Sequence, residues 1–100
     1  MRETGNIDVV HNERASRFEA QLPEGLCRAD YRRVGNALQM VHTEVPAAAR
    51  GRGAAGRVVA AALDYAQEQG LTVMPLCSYV RGYFKRHPER QGLLAPGSRL

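Results

Sequence analysis

The stretch His42-Thr43-Glu44-Val45-Pro46-Ala47-Ala48-Ala49-Arg50-Gly51-Arg52-Gly53-Ala54-Ala55-Gly56-Arg57 decides the fold of this chain. It changes character twice. A β-branched run ends at Pro46, a small and Gly-rich segment follows, and a helical pattern begins at Ala54. Val58, Val59, Ala62, Leu63 and Ala66 fall on one stripe, with Arg57, Asp64, Gln67 and Glu68 away from it. The spacing predicts a helix over Ala54 to Gln69, about 24 Å long. Gly70 suits the position that ends it.

A strand, a Gly-rich loop and a helix N-terminus in that order form an anion site. Backbone N–H groups converge there, and the helix end adds partial positive charge. Gly51 and Gly53 let a ligand approach the backbone closely. Arg50, Arg52 and Arg57 add full charges. The combination suits a pyrophosphate. A P-loop does not fit, because Gly56-Arg57-Val58 lacks the Lys-Ser/Thr that follows its last glycine. A dinucleotide fold does not fit either, because its Gly loop follows the first strand of the domain.

Upstream, the chain reads as strands. Ile7 to Asn12 is apolar and β-branched. Phe18, Ala20 and Leu22 alternate with Arg17, Glu19 and Gln21. Pro23-Glu24-Gly25 marks a turn. Leu26 to Val34 and Ala37 to Val45 flank Gly35-Asn36, a hairpin signal. Downstream, Leu71 to Cys77 reads as a buried strand in which Pro75 marks an edge or a bulge. Ser78 is positioned to cap a helix from Tyr79 to His87, ended by Pro88. The expected fold class is α+β. Four mainly antiparallel strands come first, then a helix, a parallel fifth strand reached by a right-handed crossover, and a C-terminal helix. A chain of 100 residues holds one domain, expected over 1–90, with 91–100 a loosely held tail.

Apolar residues make up 44% and charged residues 24%, which excludes a disordered or collagen-like chain. No apolar run is long enough to span a bilayer, and none has signal-peptide length. Cys27 and Cys77 form neither a disulfide framework nor a paired metal motif, so no metal is expected. Together these predict an intracellular, cytoplasmic protein with two reduced thiols. The net charge of +4 and pI of about 9.6 favour an anionic partner. Nucleic acid is the poorer choice, because the chain has no Trp, few aromatic residues and no recognisable binding module.

Arg50-Gly51-Arg52-Gly53-Ala54-Ala55 resembles the Arg/Gln-x-x-Gly-x-Gly/Ala loop of the GNAT-type N-acetyltransferases. His42-Thr43-Glu44-Val45-Pro46, Tyr31-Arg32-Arg33, Pro75-Leu76-Cys77 and Tyr83 to Glu89 narrow the likeness to the small single-domain members of that superfamily. The resemblance covers Ile7 to Glu89. It implies an acetyl-CoA or coenzyme A site between splayed strands four and five. Val41, Thr43 and Val45 would pair with the pantetheine arm. Arg50, Gly51, Arg52, Gly53, Ala54 and Ala55 would take the pyrophosphate, and Arg86 the 3′-phosphate. The acetyl thioester would point toward His42, Glu44 and Cys77. The chain lacks the last hairpin that often shapes the acceptor pocket of larger relatives.

Within that frame, His42 and Glu44 are two apart on one strand and share a face. Either is a candidate base for an amine. Cys77 precedes a helix N-terminus, which favours a thiolate and a covalent role. Its alternative is a small buried apolar residue. Tyr83 is the candidate acid for the leaving thiolate, with Tyr79 one turn away as its rival and core packing as the plainer role for both. Cys27 has no expected role. The expected function is acetyl transfer to an unidentified primary amine. A non-catalytic acyl-CoA-binding or sensing module is the alternative.

Overall fold

The computed structural model describes residues 7–100; the first six residues of the expected 1–90 domain lie outside the described residues. One five-stranded sheet runs in sequence order. Its strands are β1 (Val10–Asn12), β2 (Arg17–Leu22), β3 (Gly25–Val34), β4 (Ala37–Glu44) and β5 (Thr72–Pro75). The first four pair antiparallel, and β5 joins β4 parallel. Helix α1 (Ala54–Gln69) makes the crossover, and α2 (Ser78–Arg86) follows β5. The α+β order read from the sequence is therefore the observed one. Gly35, with φ +60°, turns β3 into β4, and Val34 faces Ala37 across the two-residue turn.

The sheet has one buried face. Phe18, Ala20 and Leu22 of β2 alternate inward and face Ala29, Cys27 and Gly25 of β3. Leu38 and Met40 of β4 and Val73 of β5 join them, all fully buried. The α1 stripe Val58, Val59, Ala62, Leu63 and Ala66 and the α2 residues Val80, Tyr83 and Phe84 pack into the same cluster. Each fully buried large side chain contributes about 1.5–3 kcal/mol through its removal from water. The opposite face is polar and carries Arg17, Glu19, Arg28 and Asp30, which pair along the strands.

Three local features differ from expectation. β1 is shorter than Ile7 to Asn12, because only Val10, His11 and Asn12 find partners on β2. Helix α2 begins at Ser78, and its cap is Cys77 rather than Ser78. A 3₁₀ turn at Pro88–Leu93 follows α2, and the segment 91–100, expected to be loose, then meets β5. Leu94 bridges Val73, the Ala95 amide donates to the Val73 carbonyl at 2.8 Å, and Ala95 is buried.

Pro75 fits without loss because of its register. The Leu76 amide donates to the Met40 carbonyl at 2.9 Å, so residues 74 and 76 turn their backbone groups toward β4. Residues 73 and 75 turn theirs outward. A proline at 75 removes no bond to β4.

Candidate acyl-transfer site

The Leu76–Met40 bond is the last between β4 and β5. Beyond it β4 runs on to Glu44 with only β3 as its strand neighbour. At the same point the β3–β4 register slips: Tyr31 faces Met40 and Asp30 faces His42, so Val41 is an extra residue on β4. A bulge leaves its extra residue unpaired and sharpens the local twist. The parting of β5 from β4 and the bulge thus open a gap flanked by Val41, Thr43 and Val45 on one side and Cys77 on the other. Across it, Cys77 Sγ hydrogen-bonds Thr43 Oγ1 at 3.5 Å. Burial pushes the Cys77 thiol up, but the Thr43 hydroxyl and the Val80, Tyr79 and Thr43 amides outweigh it. The net result lies below the usual thiol value. The sulfur stands over the first turn of α2 without a fully formed cap bond. That turn carries no acidic residue to cancel its partial positive charge. Cys27, by contrast, is wholly buried, and burial raises its thiol.

The Gly loop follows β4 and leads into α1. Gly51 and Gly53 both sit in left-handed backbone, at φ +86° and +82°. A Cβ built on either meets nothing within 4 Å, so both face open space. Gly53 caps α1 with no side chain over the first turn and no acidic residue within it. The early amides of α1 are therefore open to an anion. Arg50 and Arg52 are exposed beside the loop, and Arg52 forms an ion pair with Glu24. Ala54 is buried under the turn and Ala55 is half-buried.

His42 and Glu44 do share a face, as their spacing predicts. It is the polar face, because they stand opposite Asp30 and Arg28 in register. Thr43 stands opposite the buried Ala29 and points to the helix side with Cys77. Arg28 Nη1 binds Glu44 Oε1 at 2.7 Å, and His42 Nε2 lies 3.8 Å from the same oxygen. Both side chains are about half exposed. The gap is thus flanked by a thiol on one face of the sheet and by an imidazole–carboxylate pair on the other.

A family model described as GCN5-related N-acetyl-transferase matches residues 17–93. The chain belongs to this family. Protein NATD1 of Mus musculus is 38% identical over 92 residues, covering 89% of this chain and 84% of its own. Protein NATD1 of Homo sapiens is 39% identical over 90 residues, covering 87% and 80%. A GCN5-like protein from Staphylococcus aureus, solved in solution, shares the fold with a TM-score of 0.67 at 21% identity. It covers 90% of this chain and 89% of that one. The GCN5-related chain described here has no helix among its described residues long and apolar enough to cross a membrane. Its described residues also hold no His, Cys, Asp and Glu group able to bind a metal.

Within this GCN5-related fold the two tyrosines of α2 part company. Tyr83 is buried, stacks on His87 at 4.0 Å between ring centroids, and lies close enough to Arg90 to influence it. Tyr79 stands two residues from Cys77. A Cβ at Gly56 would lie 3.6 Å from its hydroxyl, so the phenol rests against the first turn of α1. Arg86 folds back over the Tyr79 ring at 5.5 Å from its centroid, which places that guanidinium beside the same turn. Burial raises the Tyr79 phenol, with the Arg86 charge opposing it. A spacing of one helical turn left the two tyrosines equivalent in sequence. A Cβ at Gly56 would also lie 4.0 Å from the Tyr83 ring, so burial separates them: Tyr83 lies in the core and Tyr79 is only partly buried.

Proposed function

We propose that this chain is an acetyl-CoA-dependent N-acetyltransferase acting on a primary amine. The observation that carries the reading is the gap between β4 and β5, together with the open Gly51–Gly53 loop and uncapped α1 N-terminus that follow β4. Acetyl-CoA supplies the activated acetyl thioester when bound. The loop from Arg50 to Ala55 holds a pyrophosphate through backbone amides, which the open space over both glycines allows. Val41, Thr43 and Val45 offer β4 backbone groups to an extended chain laid in the gap. Arg86 and Arg50 supply positive charge for a further phosphate.

The residues divide the proton work by face. His42 takes a proton from an amine arriving at the polar face, with Glu44 oriented by Arg28 behind it. The amide of Val41, the extra residue of the bulge, is the candidate donor to a developing oxyanion. Tyr79, rather than Tyr83, is the candidate proton donor to a leaving thiolate, because Tyr83 is committed to the packing around His87 and Arg90. Cys77 lines the gap as a thiol already biased toward its ionised form. The chain works in this reading as a soluble cytoplasmic enzyme.

A binding or sensing module is the second reading. It is favoured by one observation: His42 and Glu44 lie on the face opposite Cys77, and Glu44 is already engaged with Arg28. Turnover separates the two. Purified protein with acetyl-CoA and a panel of amines is assayed for free CoA thiol. Amine-dependent thiol release is expected. Saturable acetyl-CoA binding with no release above background for any amine would leave the module reading.

A further inference from the structure

We infer that the acceptor is an amine that also carries a carboxylate and an apolar side chain, an α-amino acid of the leucine type. This deepens the acetyl-transfer reading and rests on it. The site is a cleft of about 440 Å³ along the outer edge of β5, within the range of about 300–1,000 Å³ that small-molecule sites occupy. Met74, Pro75 and Leu76 form one wall, Arg81 contributes a second, and the segment Gly97–Leu100 closes the third.

Its position borders the gap. Leu76 makes the last bond to β4, and the next residue is Cys77. Arg81 is fixed to the same point, since its amide donates to the Cys77 carbonyl at 3.0 Å. Its Nε donates to the Pro75 carbonyl and its Nη2 to the Leu76 carbonyl, each at 3.1 Å. A guanidinium has five N–H groups, so these two bonds orient it and leave the others for a ligand. Both partners are neutral carbonyls. Arg81 has no carboxylate partner among the described residues, and no Asp or Glu side chain lines the cleft, whereas Arg99 adds a second cation. A positive cleft admits a carboxylate and repels a polyamine. The apolar remainder, Met74, Pro75, Leu76 and Leu100, suits an aliphatic side chain. Leu76 is 43% exposed and Leu100 39%, so apolar surface is available there for a ligand to cover. The planar fork of Arg81 binds a carboxylate through two parallel bonds.

The test is a titration of ¹⁵N-labelled protein with L-leucine and with L-leucinamide, which lacks the carboxylate. Saturable shifts at the Leu76, Arg81 and Ser98 amides are expected with leucine, and at least tenfold weaker binding with leucinamide. Arg81→Gln should weaken leucine tenfold or more. Because Arg81 also holds the end of β5, Met74→Glu serves as a second variant. It places a carboxylate in the cleft that competes with the ligand for Arg81, leaves the Arg81 side chain in place, and should abolish leucine binding. Equal affinity for leucinamide, shifts scattered away from the cleft, or no saturable shift would overturn the inference. Acetyl-CoA binding is read in the same samples through the Gly51, Gly53 and Ala55 amides, so failure of the cofactor reading is seen separately from failure of the cleft.

Discussion

Replacing Gly53 with valine probes the loop directly. Gly53 has φ +82°, where an L side chain suffers a clash of about 1–2 kcal/mol, with a β-branched residue at the upper end. No neighbouring atom lies within 4 Å of the added Cβ, so backbone strain is the whole cost to the free protein. At about 4–8 °C per kcal/mol for a domain of this size, the melting temperature should fall by roughly 5–15 °C. The side chain would occupy the space above the α1 N-terminus. Loss of charge-assisted bonds there, about 1.5–3 kcal/mol each, weakens acetyl-CoA at least tenfold. Gly70→Val is the matched control. Gly70 has φ +70°, also meets nothing within 4 Å, and caps the other end of the same helix, about 25 Å away. It should lose similar stability and keep acetyl-CoA affinity. Calorimetric titration and thermal melts on both variants complete the comparison. Unchanged affinity in Gly53→Val would refute the loop assignment. Equal loss in both would show that strain, not occlusion, is being measured.

Three further outcomes are expected. Protein incubated with acetyl-CoA gains one acetyl group by intact mass, and Cys77→Ser does not; an adduct persisting in that variant removes Cys77 from the chemistry. Tyr79→Phe lowers kcat about a hundredfold or more with little change in melting temperature, whereas Tyr83→Phe keeps kcat and loses about 1 kcal/mol of stability; the reverse pattern would return the acid role to Tyr83. His11 is partly buried between Phe18, Tyr65 and Tyr31, with a 2.6 Å bond to the Tyr31 hydroxyl. Burial lowers its pKa, with Glu13 partly opposing. The folded state therefore resists its protonation, and stability present above about pH 6.5 is lost as the pH falls below that value. Thermal melts across that window should show the loss in the native protein and a flatter profile in His11→Gln.

Much of the fold was legible because the signals were local. The α1 stripe sets its own period, and Gly70 ends it with left-handed backbone. Gly35-Asn36 carries its turn in two residues. The left-handed backbone at Gly51 and Gly53 could be anticipated because glycine adopts it without steric cost. What escaped depends on tertiary placement. The Val41 bulge adds one residue to β4 and turns His42 and Glu44 to the polar face, where simple alternation from Leu38 and Met40 would point them inward. Those two share a face by simple alternation, but Arg28 on the neighbouring strand decides how Glu44 is held. Cys77 rather than Ser78 caps α2 because the strand delivers the chain there extended, at φ −107° and ψ 139°. Tyr79 and Tyr83 could be told apart only once their burial and the stacking of Tyr83 on His87 were seen. The cleft at β5 needed a tail that composition marked as loose and that Val73 holds.

The central claim is that the gap and the Gly loop form an acyl-CoA site. Calorimetric titration with acetyl-CoA, beside dephospho-CoA, tests it most directly. One-to-one binding with micromolar affinity is predicted, weaker for dephospho-CoA and equalised between the two in Arg86→Ala. No heat of binding with either compound, from protein whose melting curve shows it folded, would contradict the account.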